Sequence, residues 1–283
     1  MNQEFTKTIG MFDSGVGGLT LVSEAQRQLP REKVIYFGDT ANVPYGDKST
    51  SQLIGLADSA VRFLIQRGVK VIVDACNSTS SVALDFLKET HDVPIVGVIN
   101  AGVQEAVDKT ENGRIGVIAT SATIESGAHE KEAGKIAPSV KVFGQACPRF
   151  VPLIEEGRTN SLEAHRAAHE YLKPLQEKGI DTLILGCTHF PFISHVLEGV
   201  LGPSVQLVNP AVGTILQLKN LLEGEGMLNK SEERRNFELR DHEYYVSGDP
   251  EAFKEAAEKL LNTSLGLVYQ IAIKGGETGE VVR

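Results

Sequence analysis

The fold is decided by a ten-residue stretch that occurs twice in the chain. The first copy reads Arg67-Gly68-Val69-Lys70-Val71-Ile72-Val73-Asp74-Ala75-Cys76, and the second reads Lys178-Gly179-Ile180-Asp181-Thr182-Leu183-Ile184-Leu185-Gly186-Cys187. Each copy has a glycine that can end a helix, then a run rich in aliphatic and β-branched residues, then a cysteine. Such runs are typical of parallel strands, which are buried on both faces and therefore lack alternating polar residues.

Three further apolar runs have partners in the second half of the chain. The runs that begin at Ile9, Val34 and Val93 match runs that begin at Ile115, Val140 and Val205, in the same order and with slowly growing separation. Residues with helical spacing separate the runs, as in residues 53–64 before Gly68. We interpret the four ordered matches as an internal duplication. The alternative is that any two α/β halves share this pattern of strands and glycines.

The 283 residues correspond to about two domains at ~150 residues each. The tail offers a helix at 212–222, a polar stretch at 223–242, a strand at 244–247 and a helix at 251–261, with Asp249 as N-cap and Pro250 as first residue. We expect the tail to return to the first half, because the second half already has its set of strands. The sequence thus predicts two pseudo-symmetric doubly wound α/β domains with mainly parallel sheets and a cleft between them: residues 1–99 with 210–283, and residues 100–209.

Charge and cysteine content disfavour several classes of protein. Lys and Arg number 28 against 37 Asp and Glu, and this net charge of −9 disfavours nucleic-acid binding, which needs a basic face. Three cysteines argue against a disulfide scaffold and for a reducing compartment. No apolar run reaches the ~20 residues of a membrane helix, and the polar residues 1–8 do not resemble a signal peptide. We therefore expect a cytoplasmic protein that binds neither nucleic acid nor membrane.

Cys76 and Cys187 stand at equivalent positions, each just past a predicted strand. Ligands of parallel α/β sheets bind beyond the carboxyl ends of the strands, so two facing units would place one thiol on each side of a cleft. Two such groups can remove a proton from one face of a carbon and deliver one to the other, which inverts a stereocentre. A helix N-terminus after each strand would favour the thiolate. The alternatives are buried apolar cysteines, a disulfide, or a zinc site in which His189 is the only nearby nitrogen ligand.

Other polar residues accompany this pair. Asp13 and Ser14 end the first strand, where Asp13 could receive an ammonium group, modulate a thiol or cap the next helix. His189 could polarise Cys187 or be a structural residue. The run Gly15-Val16-Gly17-Gly18 resembles the start of a dinucleotide fingerprint but lacks its register, so close helix–strand packing is the better interpretation. We interpret Cys147 as structural, and spacing alone does not assign Glu155 or Glu156.

Five segments together resemble the glutamate racemases of the cofactor-independent aspartate/glutamate racemase family. They are residues 10–20, 36–46, 75–78, 146–155 and 185–191, in family order. The resemblance implies interconversion of L- and D-glutamate without pyridoxal phosphate or metal, supply of D-glutamate to bacterial peptidoglycan synthesis, and a homodimer. Cys76 and Cys187 match the two acid/base thiols, acting on the D- and L-isomer respectively. The matching assisting residues are Asp13, His189 and Glu155, and the matching substrate contacts are Asp13, Ser14, Pro44, Tyr45, Gly46, Asn77, Ser78, Thr188 and His189, with Thr120 and Thr123 as further candidates.

The sequence departs from the family pattern at three positions. Ser78 stands where Thr is usual, Thr79 where a small residue is usual, and Asn42 where a basic residue is common. Ser78 keeps the hydroxyl, so carboxylate binding is expected to survive. The alternatives are an aspartate or broad-specificity racemase, a relative that uses one thiol for decarboxylation, and a two-lobed protein that binds an amino acid without turnover.

Overall fold

A computed structural model of the chain describes residues 8–229, 236–274 and 277–282. The strands are β1 (Ile9–Asp13), β2 (Val34–Gly38), β3 (Val71–Asp74), β4 (Ile95–Gly97), β5 (Arg114–Ala119), β6 (Lys141–Ala146), β7 (Thr182–Gly186), β8 (Gln206–Val208), β9 (Glu243–Val246), β10 (Val268–Lys274) and β11 (Glu277–Val282). The helices are α1 (Leu19–Gln28), α2 (Thr50–Gln66), α3 (Asn77–Ser80), α4 (Leu84–Thr90), α5 (Val98–Lys109), α6 (Ser121–Glu125), α7 (Ala128–Ile136), α8 (Phe150–Glu155), α9 (Leu162–Glu177), α10 (Ser194–Leu201), α11 (Pro210–Gly224) and α12 (Pro250–Leu261). Within the described ranges, no helix has the length and apolar character needed to cross a membrane.

The strands form two sheets that share one strand order. The first sheet runs β11-β10-β9-β2-β1-β3-β4, and the second runs β6-β5-β7-β8. The order β2-β1-β3-β4 is therefore repeated by β6-β5-β7-β8, as the duplication predicts. All strand pairs are parallel except β10 with β11. This architecture confirms the predicted fold class.

The sheet register corrects one of the predicted matches. Ile9 pairs with Val34 and Val71, and its equivalent Ile115 pairs with Val142 and Thr182. The third strand thus keeps the predicted match between the two copies of the repeated stretch. The equivalent of Val34, however, is Val142 rather than the predicted Val140. The prediction was wrong here because the chain between β5 and β6 is slightly longer than the chain between β1 and β2, so register rather than residue similarity identifies equivalent positions.

The fourth strand is shorter than predicted. Residues 93–99 form a strand only over Ile95–Gly97, and Val98 already begins α5. The backbone N–H of Val98 donates to the Oγ of Ser80 at 3.3 Å, and a Cβ on Gly97 would lie 2.6 Å from a methyl carbon of Leu84. Close packing against Ser80 and Leu84 therefore ends the strand at Gly97, where no larger side chain fits.

The tail returns to the first sheet, as predicted. Strand β9 pairs in parallel with β2, and the side chain of Asp249 accepts hydrogen bonds from Glu251 N and Ala252 N at the start of α12. The antiparallel pair β10–β11 was not predicted, although residues 268–274 carry an apolar alternation typical of a strand. Within the predicted polar stretch at 223–242, residues 230–235 lie outside the described residues, as do residues 1–7 of the polar N-terminus.

Two adjacent helices connect the sheets. Helix α5 leads from β4 to β5, and α11 leads from β8 to β9. Small residues let them approach closely: a Cβ on Gly102 would lie 2.9 Å from the ring of Pro210, and one on Gly213 would lie 3.3 Å from the carbonyl oxygen of Ala101. The predicted domain boundaries, after residues 99 and 209, fall at these two connections and stay a prediction.

Candidate active site

A cavity of about 440 Å³ lies between the carboxyl ends of the two sheets. All but one of the predicted site residues line it: Asp13, Ser14, Pro44, Tyr45, Gly46, Cys76, Asn77, Ser78, Thr120, Glu155, Cys187, Thr188 and His189. The residues from Asp13 to Ser78 lie at or after the ends of strands of the first sheet, and those from Thr120 to His189 lie after strands of the second. The strand ends thus bring together residues that are distant in sequence, which is the expected arrangement for a parallel α/β protein.

Cys76 lies between the end of β3 and the start of α3, and only 5% of it is exposed. Burial raises the pKa of its thiol well above the ordinary value, and the negative charges of Asp13 and Asp74 raise it further. Cys76 is therefore a neutral thiol in the resting protein. The predicted helix dipole gives it little help, because α3 is a single turn of four residues.

Cys187 has a different environment, which contains a histidine. Its Sγ lies 3.8 Å from Nδ1 of His189, and Nε2 of that ring lies 3.1 Å from Oε1 of Glu155. Burial alone lowers the pKa of His189, but the hydrogen bonds with Cys187 and Glu155 outweigh burial and raise it to about 10. The ring is therefore protonated at neutral pH and places a positive charge beside the sulfur of Cys187. A single 3₁₀ turn, Phe190–Ile193, follows Cys187 in place of the expected α-helix, so His189 takes the part that we expected of a helix dipole.

Asp13 connects the two halves of the cavity. Its Oδ2 accepts a hydrogen bond from the Oγ1 of Thr188 at 2.7 Å, and its Oδ1 accepts one from the Oγ of Ser14 at 3.0 Å. It does not cap the following helix, because Gly18 is the N-cap of α1. Asp13 is thus a buried carboxyl group at the cavity wall, in a position to receive an ammonium group.

Three hydroxyl groups meet at another part of the cleft. The Oγ of Ser78 lies 3.0 Å from the Oγ1 of Thr120, which lies 3.1 Å from the Oγ1 of Thr123. Thr123 also donates to Ser78 at 3.4 Å, but it is only 1% exposed and does not line the cavity. Thr123 therefore supports the two lining hydroxyls from behind. Ser78 lies after a strand of the first sheet and Thr120 after a strand of the second, so this group of hydroxyls joins the walls of the cleft.

The loop after β2 supplies one wall of the cavity. The hydroxyl of Tyr45 donates to Oδ2 of Asp39 at 2.6 Å, and Ser247 donates to the other oxygen of Asp39 at 2.6 Å. Asp39 thus fixes the loop to the end of β9, a function that its sequence position does not reveal. A Cβ on Gly46 would lie 2.9 Å from the Cβ of Thr120, so glycine is required for this loop to reach the opposite wall.

Asn77 contributes an amide that is 4% exposed, and its Oδ1 has no hydrogen-bond partner among the described residues. A buried polar atom of this kind calls for a partner that the chain itself does not supply. Because Asn77 lines the cavity, a ligand with an N–H donor can supply that partner.

The glycine run after β1 allows the two halves to touch. A Cβ on Gly17 would collide with the Oγ1 of Thr188 and lie 2.6 Å from Nδ1 of His189. A Cβ on Gly18 would lie 2.6 Å from the hydroxyl oxygen of Tyr36. The predicted helix–strand packing thus explains Gly18, whereas Gly17 packs against the opposite half of the chain, which was not predicted.

Sequence reasoning missed several other lining residues. They are Val43, Asp47, Ser121, Pro148, Val151, Pro152, Glu156 and Gly186. Among the described residues that line the cavity, none is Lys or Arg. Cys147, next to Pro148, is fully buried in the core of the second sheet, and burial raises the pKa of its thiol. These observations support the interpretation of Cys147 as structural.

One cysteine on each side of a narrow cleft is the arrangement of a two-base isomerase. The model of the Asp/Glu/hydantoin racemase family matches residues 20–216. The glutamate racemase of Desulforudis audaxviator is 45% identical over 270 residues, which are 94% of this chain and 98% of the relative. By sequence and structure, therefore, the chain belongs to the Asp/Glu/hydantoin racemase family.

Solved structures show the same relationship. Glutamate racemase RacE1 from Bacillus anthracis is 34% identical with a TM-score of 0.87, covering 93% of this chain and 96% of its own. Glutamate racemase from Francisella tularensis, solved in complex with D-glutamate, is 35% identical with a TM-score of 0.87, covering 95% of this chain and 99% of its own.

Proposed function

We propose that the chain is a glutamate racemase that interconverts L- and D-glutamate with Cys76 and Cys187 as its two acid/base groups. The observation that carries the proposal is that both thiols line one cavity, one after β3 and the other after the equivalent strand β7. The similarity to glutamate racemases over almost the whole chain supports glutamate as the substrate.

Each turnover involves two different protons, one taken from the α-carbon by one sulfur atom and one given to the α-carbon by the other. Glutamate binds with its α-carbon between the cysteines, and one thiolate removes the α-proton, forming an S–H bond as the C–H bond breaks. The other thiol then gives its proton to the opposite face of the α-carbon and becomes the thiolate. In the L-to-D direction Cys187 is the base and Cys76 the acid, and the roles exchange in the reverse direction. The resting state, with a neutral Cys76 and a positive ring beside Cys187, suits the L-to-D direction.

Neutral groups and one carboxylate bind the substrate charges. Asp13 receives the ammonium group, which replaces the donor that Thr188 now supplies. The hydroxyls of Ser14, Ser78 and Thr120 and the amide nitrogen of Asn77 donate to the two carboxylates. Hydrogen-bond donors fixed in a cavity with little water stabilise the carbanion-like intermediate more strongly than donors in bulk water do.

The test is the circular dichroism of L- and of D-glutamate solutions incubated with the purified protein and no added cofactor. Both signals decay to zero if the protein is a glutamate racemase, and an unchanged signal contradicts the proposal. Aspartate is the control substrate, because comparable racemisation of aspartate indicates a broad-specificity enzyme. Cys76→Ser and Cys187→Ser abolish the decay, whereas Cys147→Ser, in the core of the second sheet, retains it.

A protein that binds glutamate without turnover is separated by exchange at the α-carbon. A binding protein gives a measurable affinity for glutamate but no incorporation of solvent deuterium. A racemase incorporates deuterium as it turns over, so affinity without exchange favours the binding protein.

The cellular setting is part of the same proposal. The product D-glutamate supplies peptidoglycan synthesis, and the chain acts in the cytoplasm as a homodimer. The three cysteines are all free thiols, which supports a reducing compartment. Sedimentation equilibrium tests the dimer: a mass near twice that of a single chain is expected, and a monomer at all concentrations contradicts it.

A further inference from the structure

A carboxyl group that the proposed mechanism does not use lies directly behind Cys76. Asp74 is the last residue of β3 and has no exposed surface. Its strand partners are Phe12 on β1 and Gly97 on β4, neither of which offers a side-chain donor. The carboxyl is therefore enclosed by the sheet and by the turn that carries Cys76.

This carboxyl is only half satisfied. The Oγ1 of Thr79 donates to Oδ1 of Asp74 at 2.6 Å, but Oδ2 has no hydrogen-bond partner among the described residues. None of the ion pairs in the described part of the chain includes Asp74. A buried carboxylate with one unpartnered oxygen and no cation is strongly disfavoured relative to the neutral acid. Burial accordingly raises the pKa of Asp74 to about 8, despite the neighbouring hydroxyls of Thr79 and Ser80.

The same turn joins this carboxyl to Cys76. The hydroxyl of Thr79 also lies 3.2 Å from the carbonyl oxygen of Cys76, and the N–H of Ser80 donates to that carbonyl at 2.9 Å. A negative charge on Asp74 opposes a negative charge on the sulfur two residues away. Cys76 carries that charge at the start of one reaction direction and at the end of the other, so both directions are affected.

We propose that the protonated carboxyl of Asp74 is a positioning group for Cys76, and that its ionisation in mildly alkaline solution suppresses the Cys76 thiolate and slows racemisation. The inference rests on the proposed function, since it acts through the acid/base role of Cys76. It makes the enzyme sensitive to alkaline pH through a residue that never touches the substrate.

Other titratable groups also face Cys76. They are Asp13 on β1, Tyr36 on β2, Tyr45 in the following loop and Cys187 across the cavity. Burial raises the pKa of both tyrosines well above the ordinary value, so they stay neutral through the mildly alkaline range. The pKa of His189, about 10, is also higher than that of Asp74. Compared with His189 and the two tyrosines, Asp74 is thus the group whose charge changes at the lowest pH as the solution becomes alkaline.

The experiment compares pH profiles of kcat/KM for glutamate in the wild type, Asp74→Asn and the control Asp85→Asn. Asp85 lies on the exposed surface of α4, so its replacement makes the same carboxyl-to-amide change without touching the turn. In the wild type and the control, kcat/KM should fall as pH rises through about 8. One pH unit above that midpoint, it should be about tenfold lower than at neutral pH. Asp74→Asn should keep its neutral-pH activity over that range. An Asp74→Asn profile that falls with the wild type overturns the inference.

The role of Asp74 can be tested separately from the proposed function and from the folding of one variant. A wild type that fails to racemise glutamate at every pH overturns the proposed function rather than the role of Asp74. If Asp74→Asn does not fold, Thr79→Val removes the donor to Oδ1 of the carboxylate, and the alkaline fall should move to higher pH. An unchanged or lowered midpoint in Thr79→Val overturns the inference. Because L- and D-glutamate are equally stable, kcat/KM must change equally in both directions. Agreement between the L-to-D and D-to-L profiles is therefore an internal control.

Discussion

Nδ1 of His189 lies 3.8 Å from Sγ of Cys187, while the other cysteine of the cavity has only acidic and neutral neighbours. Glu155 holds the far side of the ring at 3.1 Å and helps to keep it protonated. The two thiols are thus chemically unequal, although they occupy equivalent positions of a duplicated fold. A positive ring beside one sulfur and carboxyl groups beside the other are what the proposed two-base mechanism needs before L-glutamate binds.

Replacing the ring should therefore damage the chemical step more than substrate binding. His189→Gln is expected to lower kcat by about a hundredfold, because the charge beside Cys187 is lost. Glu155→Gln keeps the ring and should cost less, about tenfold. Steady-state kinetics measure both, with His165→Gln on α9 as a control that leaves the rate unchanged. Equal activity of His189→Gln and wild type would contradict the assignment.

The hydroxyl pair across the cleft should govern substrate affinity. Ser78 and Thr120 lie 3.0 Å apart on opposite walls, and the proposed binding mode has both donate to a carboxylate of glutamate. Ser78→Ala and Thr120→Val should each raise KM by about tenfold, the effect of one lost hydrogen bond to a charged group. Ser59→Ala, on α2 away from the cavity, is the control. A KM equal to that of the control would show that these hydroxyls do not contact the substrate.

Close approach at Gly17 should be needed for activity. In Gly17→Ala, the new Cβ would collide with Thr188 and lie 2.6 Å from His189, so the walls of the cleft must separate. We expect kcat/KM to fall by about a hundredfold, since small displacements of catalytic groups are costly. Gly55→Ala is the matched control, because its Cβ meets no atom within 4 Å inside α2. It should keep full activity and gain about 0.5–1 kcal/mol of stability, as alanine favours helix. Full activity in Gly17→Ala would exclude this role for the contact.

Stability should decrease in mild acid because of His242. Its Nδ1 accepts a hydrogen bond from the N–H of Val34 at 3.3 Å, and burial lowers its pKa to about 4 from an ordinary value of 6.5. The unfolded chain therefore binds more protons between these values, so stability is present above pH 6.5 and is lost as pH falls toward 4. His242→Gln keeps an acceptor without a charge and should show a smaller decrease. Thermal unfolding at several pH values, with His165→Gln as control, measures the difference; identical curves for His242→Gln and wild type would contradict it.

Much of the fold could be predicted from the repeated stretch that ends in Cys76 and Cys187. Apolar runs and glycines identify buried strands, and order along the chain places them in two sheets. The end of β4 at Gly97 was not predictable, because it depends on Ser80 and Leu84 packing onto that glycine. The position of β6 relative to β5 also required the register, since residue similarity alone does not fix which residues pair.

The site was predictable where a single residue carries its own chemistry, as for Asp13 and the two cysteines. It was not predictable where function depends on a partner far along the chain. The sequence shows that Asp39 is a polar residue after a strand, but only the fold shows that it links Tyr45 to Ser247. Asp74 likewise lies inside an apolar run whose sequence gives no measure of burial, so its protonation state follows only from the structure.

In the proposed reaction, one sulfur atom removes the α-proton and a different sulfur atom supplies the new one, and deuterium labelling tests this most directly. The wild-type protein is incubated with L-glutamate in deuterium oxide, and both isomers are isolated at low conversion. With two bases, the D-glutamate formed carries deuterium at the α-carbon, because its proton comes from the solvent-equilibrated Cys76, while the recovered L-glutamate stays unlabelled. Equal deuterium in both isomers, or a D-isomer that retains the original hydrogen, would show that a single group handles the proton and would contradict the two-thiol account.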